Sequence, residues 1–144
     1  MENYHKHSYG SNVFTPDSAV SIEDYAKRAV ELGQKSICSV EHGWQGKYHE
    51  YYEAAQKYGL KFVFGTEAYW VMDRHSIDKS NCHIIILAKN EDGRQEINEI
   101  LSTANEDGYY YKPRLDPELI FQLNPHNVFI TSACIAFWKY DSIC

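Results

Sequence analysis

The chain has 144 residues, of which 44% are hydrophobic and 15% aromatic, and its formal net charge is −6. This length suits a single domain over 1–144, and the negative charge argues against a broad basic surface for nucleic acid, although bound cations can still hold a phosphate. The chain has no run of about 18 apolar residues and no apolar signal segment, so we expect a cytoplasmic protein without a membrane partner.

The first predicted strand ends in His5-Lys6-His7. Side chains at positions i and i+2 of a strand point to the same face, so the two imidazoles would converge on one place. Two converging imidazoles are a metal-ligand arrangement. Chance near a terminus or a purification tag would produce the same pair, so the rest of the chain has to decide.

Helices and strands alternate along the rest of the chain. The helix predicted over 21–33 begins with a capping-box pattern in Ser21 and Asp24 and ends at Gly33. The other predicted elements are strands over 35–40, 61–71, 83–90 and 127–134, helices over 46–58 and 91–104, a loop over 108–116, and a short helix opened by Asp116-Pro117. This alternation predicts an α/β fold with a mostly parallel sheet, open or barrel-like, whose ligands gather at the C-terminal ends of the strands.

Candidate metal ligands recur at or near the predicted strand ends. In chain order these residues are His5, His7, Glu41, His42, Glu67, His83 and Cys134. Mixed nitrogen, oxygen and sulfur ligands suit zinc, manganese or iron. A site with several such ligands and a bridging carboxylate is typical of enzymes that hydrolyse phosphate esters with a metal-bound water.

Six segments of the chain resemble the PHP (polymerase and histidinol phosphatase) domain. The similar form is the one at the N-terminus of the bacterial DNA polymerase III alpha subunit and its phage-borne relatives. The segments are HKH, VEHG, FGTEAYWV, HIIILAKN, GYYYKPRLD and TSAC, in that order, from His5 to about Ala136. The resemblance implies a distorted, TIM-like (β/α)7 barrel with helices outside. It also implies a cleft at the C-terminal ends of the strands that holds up to three divalent ions of zinc, manganese or iron.

The resemblance further implies which residues bind metal. They are His5, His7, Asp17, His42, Glu67, His83 and Cys134. Glu67 matches the carboxylate that bridges two ions, and burying it in an apolar strand without a partner would be costly. Simpler roles stay open for four of the seven: Asp17 as a helix cap, His42 as a loop histidine, His83 as a core histidine bonded to backbone, and Cys134 as a small buried hydrophobe.

The chain departs from the family pattern in two places. Glu41 stands where the family usually has aspartate, and its extra methylene leads us to expect that it orients a ligand histidine instead of binding metal. The chain also stops at Cys144, before the Asp-x-His pair of the family's last strands. We therefore expect a barrel that is incomplete at its C-terminal end, in a fragment or a truncated relative, with an open sheet edge that invites homo-oligomers.

Two classes of function follow. The first is a metal-dependent phosphoesterase acting on DNA or another phosphate ester, as a 3′–5′ exonuclease or proofreading accessory beside other parts of a replicative polymerase. In it, Arg114 and Lys112 face either the substrate phosphate or solvent. The alternative is a non-catalytic structural or docking module of the polymerase, and a small-molecule phosphatase of the histidinol-phosphate type is a weaker third. The sequence leaves open whether the chain is an enzyme.

Overall fold

The computed structural model describes residues 1–14 and 16–134. Its helices are α1 (Ile22–Glu31), α2 (Tyr48–Tyr58), α3 (Glu91–Glu106) and α4 (Pro117–Ile120), with a 3-10 helix over Tyr9–Val13. Its strands are β1 (Ser36–Ser39), β2 (Lys61–Trp70), β3 (Cys82–Ala88), β4 (Tyr109–Tyr110), β5 (Lys112–Leu115) and β6 (Val128–Ser132). Within the described residues, no helix combines the length and the apolar character needed to cross a membrane.

Local signals at the helix ends explain why the predicted helices form. The Ser21 side chain caps α1 by accepting a hydrogen bond from the backbone N–H of Asp24 at 3.0 Å. Gly59 ends α2 with a φ of 66°, a left-handed conformation that glycine adopts without a steric penalty. The Asp116 carboxylate caps α4 by accepting from the N–H of Leu119. These contacts confirm the predicted helices to within a few residues at each end.

The sheet is centred on β2. Its first half pairs in parallel with β1, and its second half pairs in parallel with β5 and antiparallel with β3. β6 then pairs antiparallel with β3, and β4 pairs antiparallel with β5. The pairing order is β4-β5-β2-β3-β6, with β1 attached to β2, and over residues 1–14 and 16–134 this sheet does not close into a barrel.

The prediction of a mostly parallel sheet is wrong because β3 runs against its neighbours. Residues 71–81 join β2 to β3 without a helix, and a direct connection of this kind suits antiparallel neighbours. The predicted loop over 108–116 is also wrong, since it contains β4 and β5. As a result, the C-terminal ends of β1, β2 and β6 lie at the same edge of the sheet as the N-terminal end of β3.

The predicted first strand does not form. Residues 1–8 have neither helix nor strand structure, and side chains attach them to β1. The Glu2 carboxylate accepts hydrogen bonds from the backbone N–H groups of Lys35 and Ser36, and Lys6 Nζ donates to the Cys38 carbonyl at 3.1 Å. The segment therefore runs beside β1 without a backbone ladder.

The core lies between the sheet and the helices. α3 covers β2 and β3 through Ile86, Ile97 and Leu101, and α1 and α2 pack over β1 through Ile37 and Tyr51. This packing fixes β1, β2 and β3 relative to one another. The edge at which their ligand-bearing ends meet is thereby held in place.

Candidate metal centre

Six of the seven predicted ligands converge at this edge of the sheet. The potential ligand atoms form three overlapping groups, each with all of its atoms within 4.8 Å of one another: His5, His7 and Glu67; His7, Asp17 and His42; and His42, Glu67 and His83. Glu67 occupies the centre. Its Oε2 lies 2.9 Å from His5 Nε2 and 2.7 Å from His7 Nε2, while its Oε1 is bonded to His83 Nδ1.

The candidate ligands come from several parts of the fold. His42 follows β1 and forms an isolated parallel bridge with Glu67, which lies within β2. Gly43 turns the chain there with a φ of 66°, and its N–H donates to the Glu67 carbonyl at 2.7 Å. A Cβ at position 43 would lie only 2.8 Å from the Tyr69 ring, so both the conformation and the space require glycine. The tight turn holds His42 beside Glu67.

The reversed direction of β3 explains the position of His83. In a wholly parallel sheet, a histidine at the start of a strand would lie at the edge opposite the other ligands. Because β3 is antiparallel to β2, His83 is the partner of Tyr69, near the C-terminal end of β2. The structure therefore brings His83 to the other candidate ligands, although the predicted direction of its strand was wrong.

Glu67 is an ionised carboxylate in a buried position. Its side chain is only 2% exposed, and burial acts to raise its pKa. Hydrogen bonds from His5, His7 and His83 outweigh burial and hold the pKa well below its usual range. The hydrogen bond to Glu67 in turn raises the pKa of His5, whereas burial lowers the pKa of His42. The centre combines one fixed negative charge with several imidazoles.

Two observations show that these residues fit a divalent cation. His42 Nδ1 is buried and has no hydrogen-bond partner among the described residues, and it lies 3.8 Å from Glu67 Oε2. Such an orphaned nitrogen is costly unless it has a ligand. His7 Nδ1 is bonded to Ser11 Oγ at 2.9 Å, and its Nε2 lies 2.7 Å from Glu67 Oε2. If the ring is neutral with its proton on Nδ1, Nε2 is left with a lone pair that a cation beside Glu67 would accept in place of the present hydrogen bond.

Glu41 lies behind the ligands, buried and only 2% exposed. Its carboxylate accepts hydrogen bonds from the hydroxyls of Ser8 and Ser11, and from Tyr51 Oη at 2.6 Å. Because Ser11 gives its proton to Glu41, the Ser11 oxygen is left to accept from His7 Nδ1–H. The structure thus places Glu41 away from the converging ligand atoms and joins it to a predicted ligand histidine through one serine.

Ser8 and Ser11 were missed by the sequence prediction. Their signal is weak, because two serines after a histidine pair resemble an ordinary polar turn. Both are buried in the structure, Ser8 at the cap of the 3-10 helix and Ser11 within it. In retrospect, small hydroxyl residues close behind a histidine pair are suitable for fixing an imidazole tautomer.

Replacing Glu41 with glutamine should weaken metal binding without removing a predicted ligand. The amide has one acceptor oxygen in place of two, so one serine hydroxyl must turn away from it. If Ser11 turns, it donates to His7 Nδ1 and moves the proton of the ring to Nε2. We expect metal affinity to fall about 10–100-fold, measured by calorimetric titration, with a changed tautomer of His7 in its nitrogen chemical shifts. Glu53→Gln, on the exposed face of α2, is the control; an unchanged affinity and tautomer in Glu41→Gln would contradict this role.

Cys134 lies beside the centre instead of within the three groups. Its Sγ accepts a hydrogen bond from the His83 backbone N–H at 3.2 Å. Asp17 is in the cluster, with Oδ2 at 2.9 Å from His42 Nε2, and its side chain is 39% exposed, which places it at the solvent side. The structure therefore brings Asp17 to the other ligands and leaves Cys134 adjacent to one of them.

The expectation that Arg114 faces a phosphate is corrected by the structure. Arg114 is buried, and its guanidinium donates to the backbone carbonyls of Arg74, Ser76, Asp78 and Gly108. These carbonyls belong to the connection after β2 and the turn before β4. The side chain therefore holds two loops together, because planar fork-like donors suit several carbonyls as well as they suit a phosphate.

Lys112 lies closer to the centre. Its Nζ lies 4.3 Å from the centroid of the Tyr69 ring. That ring in turn lies 5.2 Å from the ring of His83 and 6.1 Å from the ring of His42. Burial, and then the charges of Glu67 and Asp17, raises the pKa of Tyr69 to about 12, so the phenol stays neutral. Lys112 brings a positive charge to the wall of the candidate metal centre.

The sequence comparisons with known proteins point to one family. The sequence profile of the PHP domain matches residues 3–136. The DNA polymerase III alpha subunit of Aquifex aeolicus is 32% identical over 130 residues, which are 83% of this chain and 11% of that protein. The alpha subunit of Treponema pallidum is 32% identical over 142 residues, 94% of this chain and 12% of that protein. The chain thus spans about a tenth of the length of these relatives.

Two solved structures are also similar. One is described as a metal-dependent phosphoesterase from Bifidobacterium adolescentis, with a TM-score of 0.48 and 20% identity over 72% of this chain and 34% of that one. The other is an amidohydrolase from Chromobacterium violaceum, with a TM-score of 0.49 and 23% identity over 69% of this chain and 31% of that one.

Proposed function

The chain belongs to the PHP domain family, and on that premise we propose that it is a metal-dependent phosphoesterase domain. The family assignment confirms the resemblance found in the sequence. The observation that supports the activity is the buried, ionised Glu67 carboxylate within bonding distance of His5 and His7 and in contact with His83. A carboxylate surrounded by imidazoles is a typical cradle for zinc, manganese or iron(II).

In this proposal the residues of the chain have distinct roles. A divalent cation, when bound, supplies Lewis-acid stabilisation of the charge that develops on a phosphate ester. Glu67 bridges the ligand groups, and the Glu41–Ser11 pair keeps His7 in the tautomer whose Nε2 is free. Lys112 attracts the substrate phosphate, because its ammonium group lies on the Tyr69 ring at the wall of the centre. Asp17 and Cys134 complete the ligand set from the solvent side and from beside His83.

The proposed substrate is the 3′ end of DNA, which makes the domain a 3′–5′ exonuclease or proofreading accessory. The support is the similarity to DNA polymerase III alpha subunits, which covers most of this chain. The same similarity supports an association with other parts of a replicative polymerase in the cytoplasm. We further propose that 1–144 forms one domain and that its sheet belongs to a distorted seven-stranded barrel holding up to three ions. Homo-oligomers would form through the outer edge of β6.

Metal add-back tests this function. The chain is stripped with chelator, reloaded with zinc, manganese or iron(II), and assayed on bis(p-nitrophenyl) phosphate, single-stranded DNA and histidinol phosphate. We expect chelation to abolish hydrolysis of the diester and the DNA, and reloading to restore it. Tight metal binding without hydrolysis of any substrate would overturn the proposal in favour of a docking module. Hydrolysis of histidinol phosphate alone would overturn it in favour of a small-molecule phosphatase.

A further inference from the structure

The hairpin formed by β4 and β5 is packed against the wall of the metal centre. β5 pairs with the end of β2 in the register Tyr69↔Arg114. Pro113 lies close enough to Gly43 that a Cβ on Gly43 would be 3.2 Å from Pro113 Cγ. Gly43 follows His42, and the Tyr69 ring stacks beside the His42 ring with 6.1 Å between their centroids, so the hairpin borders the candidate metal centre.

This hairpin exposes two large aromatic rings. Tyr109 is 53% exposed and Tyr111 is 63% exposed, whereas Tyr110 between them is half-buried. The guanidinium carbon of Arg114 lies 5.2 Å from the Tyr110 ring, and the ring of Tyr111 stands perpendicular to it at 4.9 Å. Tyr110 is thus held between Arg114 and Tyr111, whereas Tyr109 and Tyr111 each keep more than half of their surface open to solvent.

The backbone at Tyr111 adds a second, independent observation. Its φ is 61°, and it is the one non-glycine residue with a positive φ among the described residues. Glycine would adopt this conformation without a penalty, whereas a side chain with a Cβ is strained there. Tyr111 keeps this strained conformation while most of its surface is exposed, and backbone outliers of this kind cluster at functional sites.

Positive charge accompanies the exposed rings. Lys79 Nζ lies 3.9 Å from the centroid of the Tyr111 ring. Lys112, which follows Tyr111 in the hairpin, places its Nζ 4.3 Å from the centroid of the Tyr69 ring of β2. Aromatic rings interleaved with cations are the arrangement with which proteins hold single-stranded nucleic acid, through base stacking and phosphate contacts. Bases within a duplex are stacked on both faces and held by pairing, so an unpaired strand offers the rings more base surface than a duplex does.

We propose that the tyrosines of the β4–β5 hairpin hold the terminal bases of single-stranded nucleic acid beside the metal centre. Tyr111 and Tyr109 stack on the bases, Lys79 contacts the phosphate backbone, and Lys112 draws the scissile phosphate toward the ligands. This inference rests on the proposed phosphoesterase function, because that function requires the scissile phosphate of the bound strand to lie toward the metal centre. It adds a substrate class, an unpaired nucleic acid end, and the residues that select it.

The test measures binding separately from hydrolysis. A fluorescent, hydrolysis-resistant phosphorothioate oligothymidylate is titrated with the manganese-loaded chain, and its anisotropy is recorded for the wild type and Tyr111→Gly. Glycine suits the positive φ, so this variant should fold at least as well as the wild type. We expect it to bind about tenfold more weakly, because stacking on one ring is lost. Tyr111→Phe, which keeps the ring, should bind like the wild type, and Tyr52→Ala, an exposed tyrosine on α2, serves as the unrelated control.

The outcomes separate the two proposals. Equal affinities of the wild type and Tyr111→Gly, no oligonucleotide binding by the wild type, or stronger binding of duplex than of single strands would each overturn the role of the hairpin. The proposed phosphoesterase function is tested separately by hydrolysis of bis(p-nitrophenyl) phosphate, which has no base to stack on a tyrosine. A chain that hydrolyses this diester and shows no ring-dependent binding contradicts the present inference alone. A chain that shows ring-dependent binding but hydrolyses no substrate contradicts only the proposed phosphoesterase activity.

Discussion

Replacing Glu67 with glutamine is expected to remove both metal binding and phosphoesterase activity. The carboxylate contacts His5, His7 and His83, and the amide would bring N–H groups where a cation is to be bound. Loss of a residue that only supports a ligand typically costs about 10–100-fold in metal affinity, so loss of this central ligand should cost at least as much. Metal content after dialysis and hydrolysis of the diester are measured on the same sample.

Glu99→Gln is the matched control. Glu99 lies on the exposed side of α3, and its substitution removes the same charge at a place away from the candidate centre. Its metal content and activity should equal those of the wild type. If Glu67→Gln retains metal and activity while remaining folded, Glu67 does not bind metal and the assignment of the centre fails.

Replacing Arg114 with methionine is expected to destabilise the fold by about 3 kcal/mol or more. Methionine fills much of the volume but donates no hydrogen bonds, so the buried carbonyls of Arg74 and Gly108 lose the guanidinium donor. Buried acceptors left without a donor cost about 1–3 kcal/mol each. The free energy of unfolding is measured by urea denaturation of the wild type and the variant.

Lys112→Met separates this structural role from substrate binding. Lys112 is only partly buried and makes a cation–π contact, so its loss should change stability by less than about 1 kcal/mol while raising the KM for a phosphodiester. The opposite pattern, with Arg114→Met stable and impaired in KM, would restore the phosphate-binding role that the sequence first indicated for Arg114.

The helices were predictable because their signals are local. Ser21 and Asp116 cap helices with their own side chains, and Gly59 ends one with its own backbone conformation. The direction of β3 was not predictable in this way. The run of isoleucines in that strand indicates burial, and burial is the same whichever way a strand runs. Direction depends on the connection over 71–81, whose path is set by tertiary contacts such as those of Arg114.

The convergence of the candidate ligands was easier to predict than the sheet that carries them. Histidines, and a carboxylate within an apolar run, are recognisable in a sequence. They converge even though His5 and His7 lie in no strand and His83 lies near the start of a reversed one. Residues that act through neighbours were harder to find, since Ser11 has no distinctive pattern. Arg114 was misassigned because a sequence does not reveal whether a guanidinium meets carbonyls or phosphate.

Anomalous X-ray diffraction from crystals grown with manganese or zinc tests the central claim most directly. The prediction is an anomalous peak about 2.0–2.2 Å from Glu67 and from imidazole nitrogens of His5, His7, His42 or His83. Crystals of Glu67→Gln grown in the same way should lack it. Metal-loaded wild-type crystals whose anomalous peaks lie elsewhere, with Glu67 bonded only to histidine protons, would contradict the metal centre.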